Sequence, residues 1–84
     1  MNIRVLYFGE LRETIGAASE SMTLHGQATV KRLIHELAMR GEPWLGALDS
    51  SQPLRVAVNQ EMMPIDTSLS EGCEVAFFRP VTGG

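Results

Sequence analysis

The sequence predicts an α+β domain in which one main helix lies across one face of a mixed sheet. Three observations carry this expectation. Residues 29–40 show sustained helical spacing of apolar side chains, five short segments alternate apolar and polar residues with a period of two, and glycines punctuate the joints between them. At 84 residues and 9.2 kDa the chain has room for one modest core.

The elements follow in order. Met1 to Phe8 reads as a strand, with Ile3, Val5 and Tyr7 on one side and Arg4, Leu6 and Phe8 on the other. Gly9 ends it, and Glu10 to Ile15 makes a short helical turn closed by Gly16. Ser19 to Leu24 is the second strand, close enough in sequence to pair with the first as a hairpin with an elaborated loop. From Thr29 to Arg40 the residues Val30, Leu33, Ile34, Leu37 and Ala38 form one apolar stripe, with Thr29 as N-cap, Arg40 in the last turn and Gly41 as left-handed cap. A helical turn around Trp44, Leu45 and Leu48 follows, with Pro43 at its start. Leu54 to Asn59 is the third strand. Met62 to Ile65 returns beside it, held at an edge by Pro64. Gly72 breaks the chain before the last strand, Cys73 to Arg79. The helix stripe is expected to bury Ile3, Val5, Val56, Val58, Val75 and Phe77, which is a β-grasp arrangement.

Composition narrows the class of function. Charged residues make up 20% and hydrophobic residues 44%, an ordinary globular balance. A formal charge of −3 argues against a nucleic-acid phosphate backbone as partner. Cys73 is the sole cysteine, which excludes an internal disulfide framework and a multi-cysteine zinc site. No apolar run approaches the ~20 residues that span a bilayer, and Arg4 interrupts the apolar start, so neither a membrane nor a signal peptide is expected. The expectation is a cytoplasmic protein with a domain over residues 1–79 and an extended tail over 80–84 that is disordered without a partner.

Two features exceed what folding requires. With one helix to cover the sheet, the opposite face should be polar. It instead carries Leu6, Phe8, Ala57, Ala76 and Phe78, ringed by Arg4, Arg55 and Glu74, with Met62 extending the patch. Aromatic and methionine side chains enrich interface cores, so this face is expected to dock a protein. The second feature is the ending Arg79-Pro80-Val81-Thr82-Gly83-Gly84. Two terminal glycines arise by chance about 0.5% of the time from a background near 7% each. Without a Cβ, Gly-Gly passes through a channel too narrow for any side chain, while Pro80 and branched Val81 keep the preceding segment extended.

Gly84 then becomes the candidate reactive residue through its own carboxylate. With a pKa of about 3.5 that group is ionised at neutral pH and resists nucleophilic attack until activated, for example as an acyl-adenylate. The chain contains neither GxxxxGK[ST] nor GxGxxG, so activation must come from another protein. On this reading the chain is a carrier and is not catalytic on its own.

The ending AFFRPVTGG, the opening RVLYFGELRETIG, the helix TVKRLIHELA and the segment VAVNQE together resemble the small subunit of molybdopterin synthase, a family of ubiquitin-like β-grasp sulfur carriers. The resemblance covers essentially the whole chain. It implies that an E1-like adenylyltransferase activates Gly84 with ATP and Mg²⁺, neither of which this chain binds itself. A sulfur donor protein then converts the adenylate to a thiocarboxylate. It further implies docking on the molybdopterin synthase large subunit in a heterotetramer. Two sulfur transfers to cyclic pyranopterin monophosphate there build the dithiolene that holds molybdenum. Pro80, Val81, Thr82 and Gly83 would form the inserted tail. Phe78 and Met62 match family docking positions, Leu6, Ala57 and Ala76 share their face, and Arg12 matches a position that contacts the activating enzyme. Arg79 departs from the proline common in relatives, which implies a looser root for the tail and an ionic contact with the large subunit.

Other residues that look chemical have plainer readings. Cys73 falls at an inward strand position, where cysteine behaves as a small hydrophobe. His25 and His35 lack a second metal ligand at workable spacing. Glu71 and Glu74 read as a wet acidic turn, and Trp44 as packing beneath its connection. Three rival functions stay open at this level: a carrier for thiamine or another thiolated product, a protein modifier joined through Gly84 to lysines, and a non-covalent interaction domain.

Overall fold

The computed structural model describes residues 1–80. Its elements are β1 (Asn2–Tyr7), α1 (Gly9–Ile15), β2 (Ser19–Thr23), α2 (Val30–Ala38), α3 (Trp44–Ala47), β3 (Arg55–Val58), β4 (Glu61–Met62) and β5 (Glu74–Phe78). The five strands form one sheet in the order β2-β1-β5-β3-β4. β1 and β2 pair antiparallel, and the last strand returns to the centre, parallel to β1 and antiparallel to β3. This is the β-grasp architecture expected from the sequence.

Strand alternation sorts the side chains as the period of two requires. Ile3, Val5, Tyr7, Val56, Val58, Val75 and Phe77 are buried on the inner face and pack with Val30, Leu33 and Leu37 of α2. Leu11 of α1, Ala47 and Leu48 close the same core. Cys73 is buried there too, as its inward strand position implied. No buried polar or charged residue interrupts this layer among the described residues.

The helix α2 starts where the sequence places it. Thr29 is extended, and its hydroxyl accepts from the Arg32 amide at 3.2 Å, satisfying one of the amides left free at a helix start. It ends earlier than expected, at Ala38. Arg40 and Gly41 donate to the carbonyls of Leu37 and Ala38, which tightens the chain into a three-residue turn. Arg40 thus lies beyond the last turn, and Gly41, at φ +86°, reverses the chain after that turn. The return strand is also shorter than expected, since β4 has two residues and stops before Pro64.

Arg40 is held by charge and aromatic contact. Its guanidinium pairs with both Glu20 carboxylate oxygens, at 2.8 and 3.0 Å, and its Cζ sits 4.7 Å from the Trp44 ring centroid. Trp44 Nε1 donates to the Tyr7 hydroxyl at 3.2 Å, and that hydroxyl donates to Glu20 Oε2 at 2.7 Å. The four residues come from β1, β2, the turn after α2, and α3, so the cluster fastens the hairpin to the helical layer. Burial, then donation to Glu20, drives the Tyr7 phenol far above its usual range. Burial also acts to raise Glu20, but donation from Arg40 and Tyr7 outweighs it and holds this carboxyl below its ordinary value of 4.5.

Two predictions follow from local chemistry. Because Glu20 is depressed in the folded state, its contribution to stability is complete above pH 4.5 and is lost as pH falls through the lower folded value. Urea-unfolding midpoints of Glu20→Gln are expected below those of the parent at pH 7, with the two curves converging below pH 4.5; parallel curves would exclude this linkage. The β3–β4 turn holds Asn59 at φ +50° and Gln60 at φ +70°, the left-handed pair of a two-residue hairpin. A Cβ is penalised there, so Gln60→Gly is expected to raise stability by about 0.5–1 kcal/mol in thermal or chemical unfolding.

Candidate functional site

The outer face of the sheet is built by register. Leu6 pairs with Ala76, Ala76 with Ala57, and Ala57 with Met62, so these four side chains lie in one row across four strands. Phe78 is the next outward residue of β5, and Phe8 follows the end of β1. The short alanines in mid-row leave a trough between the bulkier residues. A groove of about 650 Å³ results, floored by Leu6, Ala57, Ala76 and Phe78, flanked by Phe8 and Gly9, and rimmed by Glu10, Gln60, Glu74 and Arg79.

In the floor Ala57 and Ala76 are buried and Leu6 and Phe78 half-buried, so the exposed apolar surface is carried by the flank and the sheet edge. Phe8 is 50% exposed and Met62 56%, among the largest apolar side chains left in solvent. Phe8 occupies the N-cap of α1 yet makes no side-chain cap bond, a position where Ser, Thr, Asp or Asn would serve the helix better. Asn59 fixes the far rim, since its side-chain carbonyl accepts from the Glu74 amide at 3.0 Å.

Leu6, Ala57, Ala76 and Phe78 are therefore brought together as the sequence implied, with Arg79 at the end of the same groove. Met62 continues the row at the sheet edge without lining the groove. Arg12 is exposed in the last turn of α1, outside the groove lining. Pro80 is half-buried, and Val81, Thr82, Gly83 and Gly84 lie outside the described residues. Glu10 and Gln60 are rim residues that the sequence reading did not single out. The positive-φ turn before β4 was the available signal for Gln60, whereas Glu10 reaches the groove only because α1 folds back onto β1 and β5.

Arg79 has partners within the chain that its sequence does not reveal. Its Nη1 donates to the Pro53 carbonyl at 3.0 Å, and its Nη2 donates to the Ala47 carbonyl.

The groove is lined by hydrocarbon with a few peripheral polar groups. His25 and His35 are exposed on other elements, and the described residues contain no cluster of three or more His, Cys, Asp or Glu placed to hold a metal. No described helix is long and apolar enough to cross a membrane. The arrangement suits recognition of an apolar protein surface.

Sheet order, helix placement and groove define a ubiquitin-like β-grasp protein. The chain belongs to the ThiS family, whose model matches residues 5–84. It is 40% identical over 83 residues to the molybdopterin synthase sulfur carrier subunit of Haemophilus influenzae, covering 98% of this chain and 99% of that one. The Escherichia coli protein of the same name is 39% identical over 82 residues, with 98% and 99% covered. Among solved structures, a putative molybdopterin converting factor subunit 1 from Pyrococcus furiosus superimposes with a TM-score of 0.81 at 28% identity, covering 96% of this chain and 99% of that one.

Proposed function

We propose that this chain is the sulfur carrier subunit of a molybdopterin synthase and that Gly84 is the group it delivers. The reading rests chiefly on one observation. The apolar groove ends at Arg79, where the chain passes into Pro80-Val81-Thr82-Gly83-Gly84, so a partner seated on the groove meets the start of the tail. The family and its relatives of that name support the same reading.

The chemistry follows from the carboxylate. An oxygen of the Gly84 carboxylate attacks the α-phosphorus of ATP in the activating partner, and pyrophosphate leaves. The terminal sulfur of a persulfide on a donor protein then attacks the acyl carbon and displaces AMP. A thiol reduces the resulting acyl disulfide, which releases the Gly84 thiocarboxylate and leaves a disulfide on the donor side. In the large subunit the thiocarboxylate sulfur bonds a carbon of cyclic pyranopterin monophosphate, and water cleaves the acyl–sulfur bond and restores the Gly84 carboxylate. A second loaded carrier supplies the other sulfur of the dithiolene. This chain's own share is to present the carboxylate and to dock through Leu6, Ala57, Ala76, Phe78 and Met62. The glycines admit the tail to a narrow active site because they carry no Cβ.

Two measurements test this reading. Incubation with the activating enzyme, ATP, Mg²⁺ and a sulfur source is expected to replace one oxygen by sulfur at Gly84, read as a mass gain of the intact chain; an unchanged mass under conditions that load a known carrier would refute it. Phe78→Ala is expected to weaken large-subunit binding by about 2 kcal/mol or more while leaving the circular dichroism spectrum unchanged. Unaltered affinity would remove Phe78 from the docking surface.

A further inference from the structure

Arg79 stands between two functions of the chain, closing the groove on one side and preceding the tail on the other. Its side chain turns away from the sheet toward α3 and the connection to β3. Ala47 is the last residue of α3, and its carbonyl is among those a helix leaves unpaired at its C-terminal end. Arg79 Nη2 donates to that carbonyl while Nη1 reaches the Pro53 carbonyl at 3.0 Å. The planar guanidinium spans both acceptors at once, which an ammonium on a flexible stem does not reproduce. The Asp49 carboxyl lies in the same loop. It is held below its usual range first by donation from Ser51, with the Arg79 charge contributing in the same direction.

The backbone at this residue is restricted from the other side as well. The residue before a proline is pushed to extended conformations, so Pro80 limits Arg79 through its ring while the guanidinium limits it through its side chain. Two independent constraints thus converge on the last residue before the tail. From there five residues remain to Gly84, a reach of at most about 18 Å. Over so short a span, restraining position 79 restricts the directions from which the remaining residues can start.

We propose that Arg79 is a positioning residue that aims the tail, acting through its bonds to Ala47 and Pro53 and not through contact with the partner. This deepens the carrier reading above and rests on it. Fixing the root before docking removes part of the ordering entropy that insertion would otherwise cost. The effect belongs to association, since the anchor lies five residues from the sulfur.

The test uses chemically thiocarboxylated full-length chains and the molybdopterin synthase large subunit. Arg79→Ala and Arg79→Lys are both expected to raise KM for the loaded carrier about five- to tenfold, with kcat changed less than twofold and the salt dependence of KM unchanged. In the free protein, ¹⁵N relaxation at the position-79 amide is expected to show a lower order parameter in both variants. Full rescue by Arg79→Lys, or a flattened salt dependence in Arg79→Ala, would assign Arg79 to a direct ionic contact with the partner and overturn the proposal. An unchanged KM and order parameter would overturn it too. Absence of transfer by the unsubstituted chain would instead overturn the carrier reading, and this inference with it.

Discussion

Strand β5 occupies the middle of the sheet, parallel to β1 and antiparallel to β3, and its five residues must satisfy both neighbours and both faces. Val75 and Phe77 point inward and are fully buried against the helical layer. Ala76 and Phe78 point outward and floor the groove. Two residues further, at Pro80, the described residues end. Since the side-chain period is two, a one-residue slip in this strand would place Phe77 in solvent and Ala76 in the core. The buried face and the grooved face are therefore specified by the same register. The parallel pairing with β1 joins the two ends of the described chain and is the most non-local contact of the sheet.

The cluster of Tyr7, Glu20, Arg40 and Trp44 secures the side of the molecule away from the groove. β2 is an edge strand and needs something to hold it besides one ladder of hydrogen bonds. The bidentate Arg40–Glu20 pair ties it to the turn after α2, and the Tyr7 hydroxyl links that pair to the Trp44 indole. An exposed ion pair alone contributes little. Here Arg40 also packs on the Trp44 ring and Glu20 also accepts from the buried Tyr7 hydroxyl, so each charged group has a second restraint.

Much of this was readable from local chemistry. The helix stripe from Val30 to Leu37, the Thr29 cap and the alternation in 1–8 and 73–79 each report a single element, and their periods differ enough to be told apart. The outer apolar face was readable for the same reason, because counting helices shows which sheet face lacks a cover. What escaped was set by contacts distant in sequence. Arg40 looks like a helix C-terminal cation until β2 brings Glu20 to it across 20 residues. Arg79 looks like a free basic residue near a terminus until α3 presents the Ala47 carbonyl 32 residues away. Both are arginines, whose long side chains choose partners by tertiary position and leave no periodic trace. The end of α2 was misplaced by the same ambiguity: Gly41 does take the left-handed conformation, but it serves the turn that follows and not the helix itself.

An open apolar face beside two sheet edges would normally invite association, and the edges show how this is limited. β4 is two residues long and is followed at once by Met63 and Pro64, which gives a second strand almost no ladder to extend. β2 presents Ser19, Glu20, Ser21 and Thr23, a polar run with a committed carboxylate. The groove itself is concave, with alanines at its centre and Glu10, Glu74, Gln60 and Arg79 around it. A flat copy of the same sheet fills such a trough poorly, whereas a convex apolar ridge fills it. The small size of Ala57 and Ala76 therefore matters as much as their apolarity. Larger residues there would fill the trough and flatten the face.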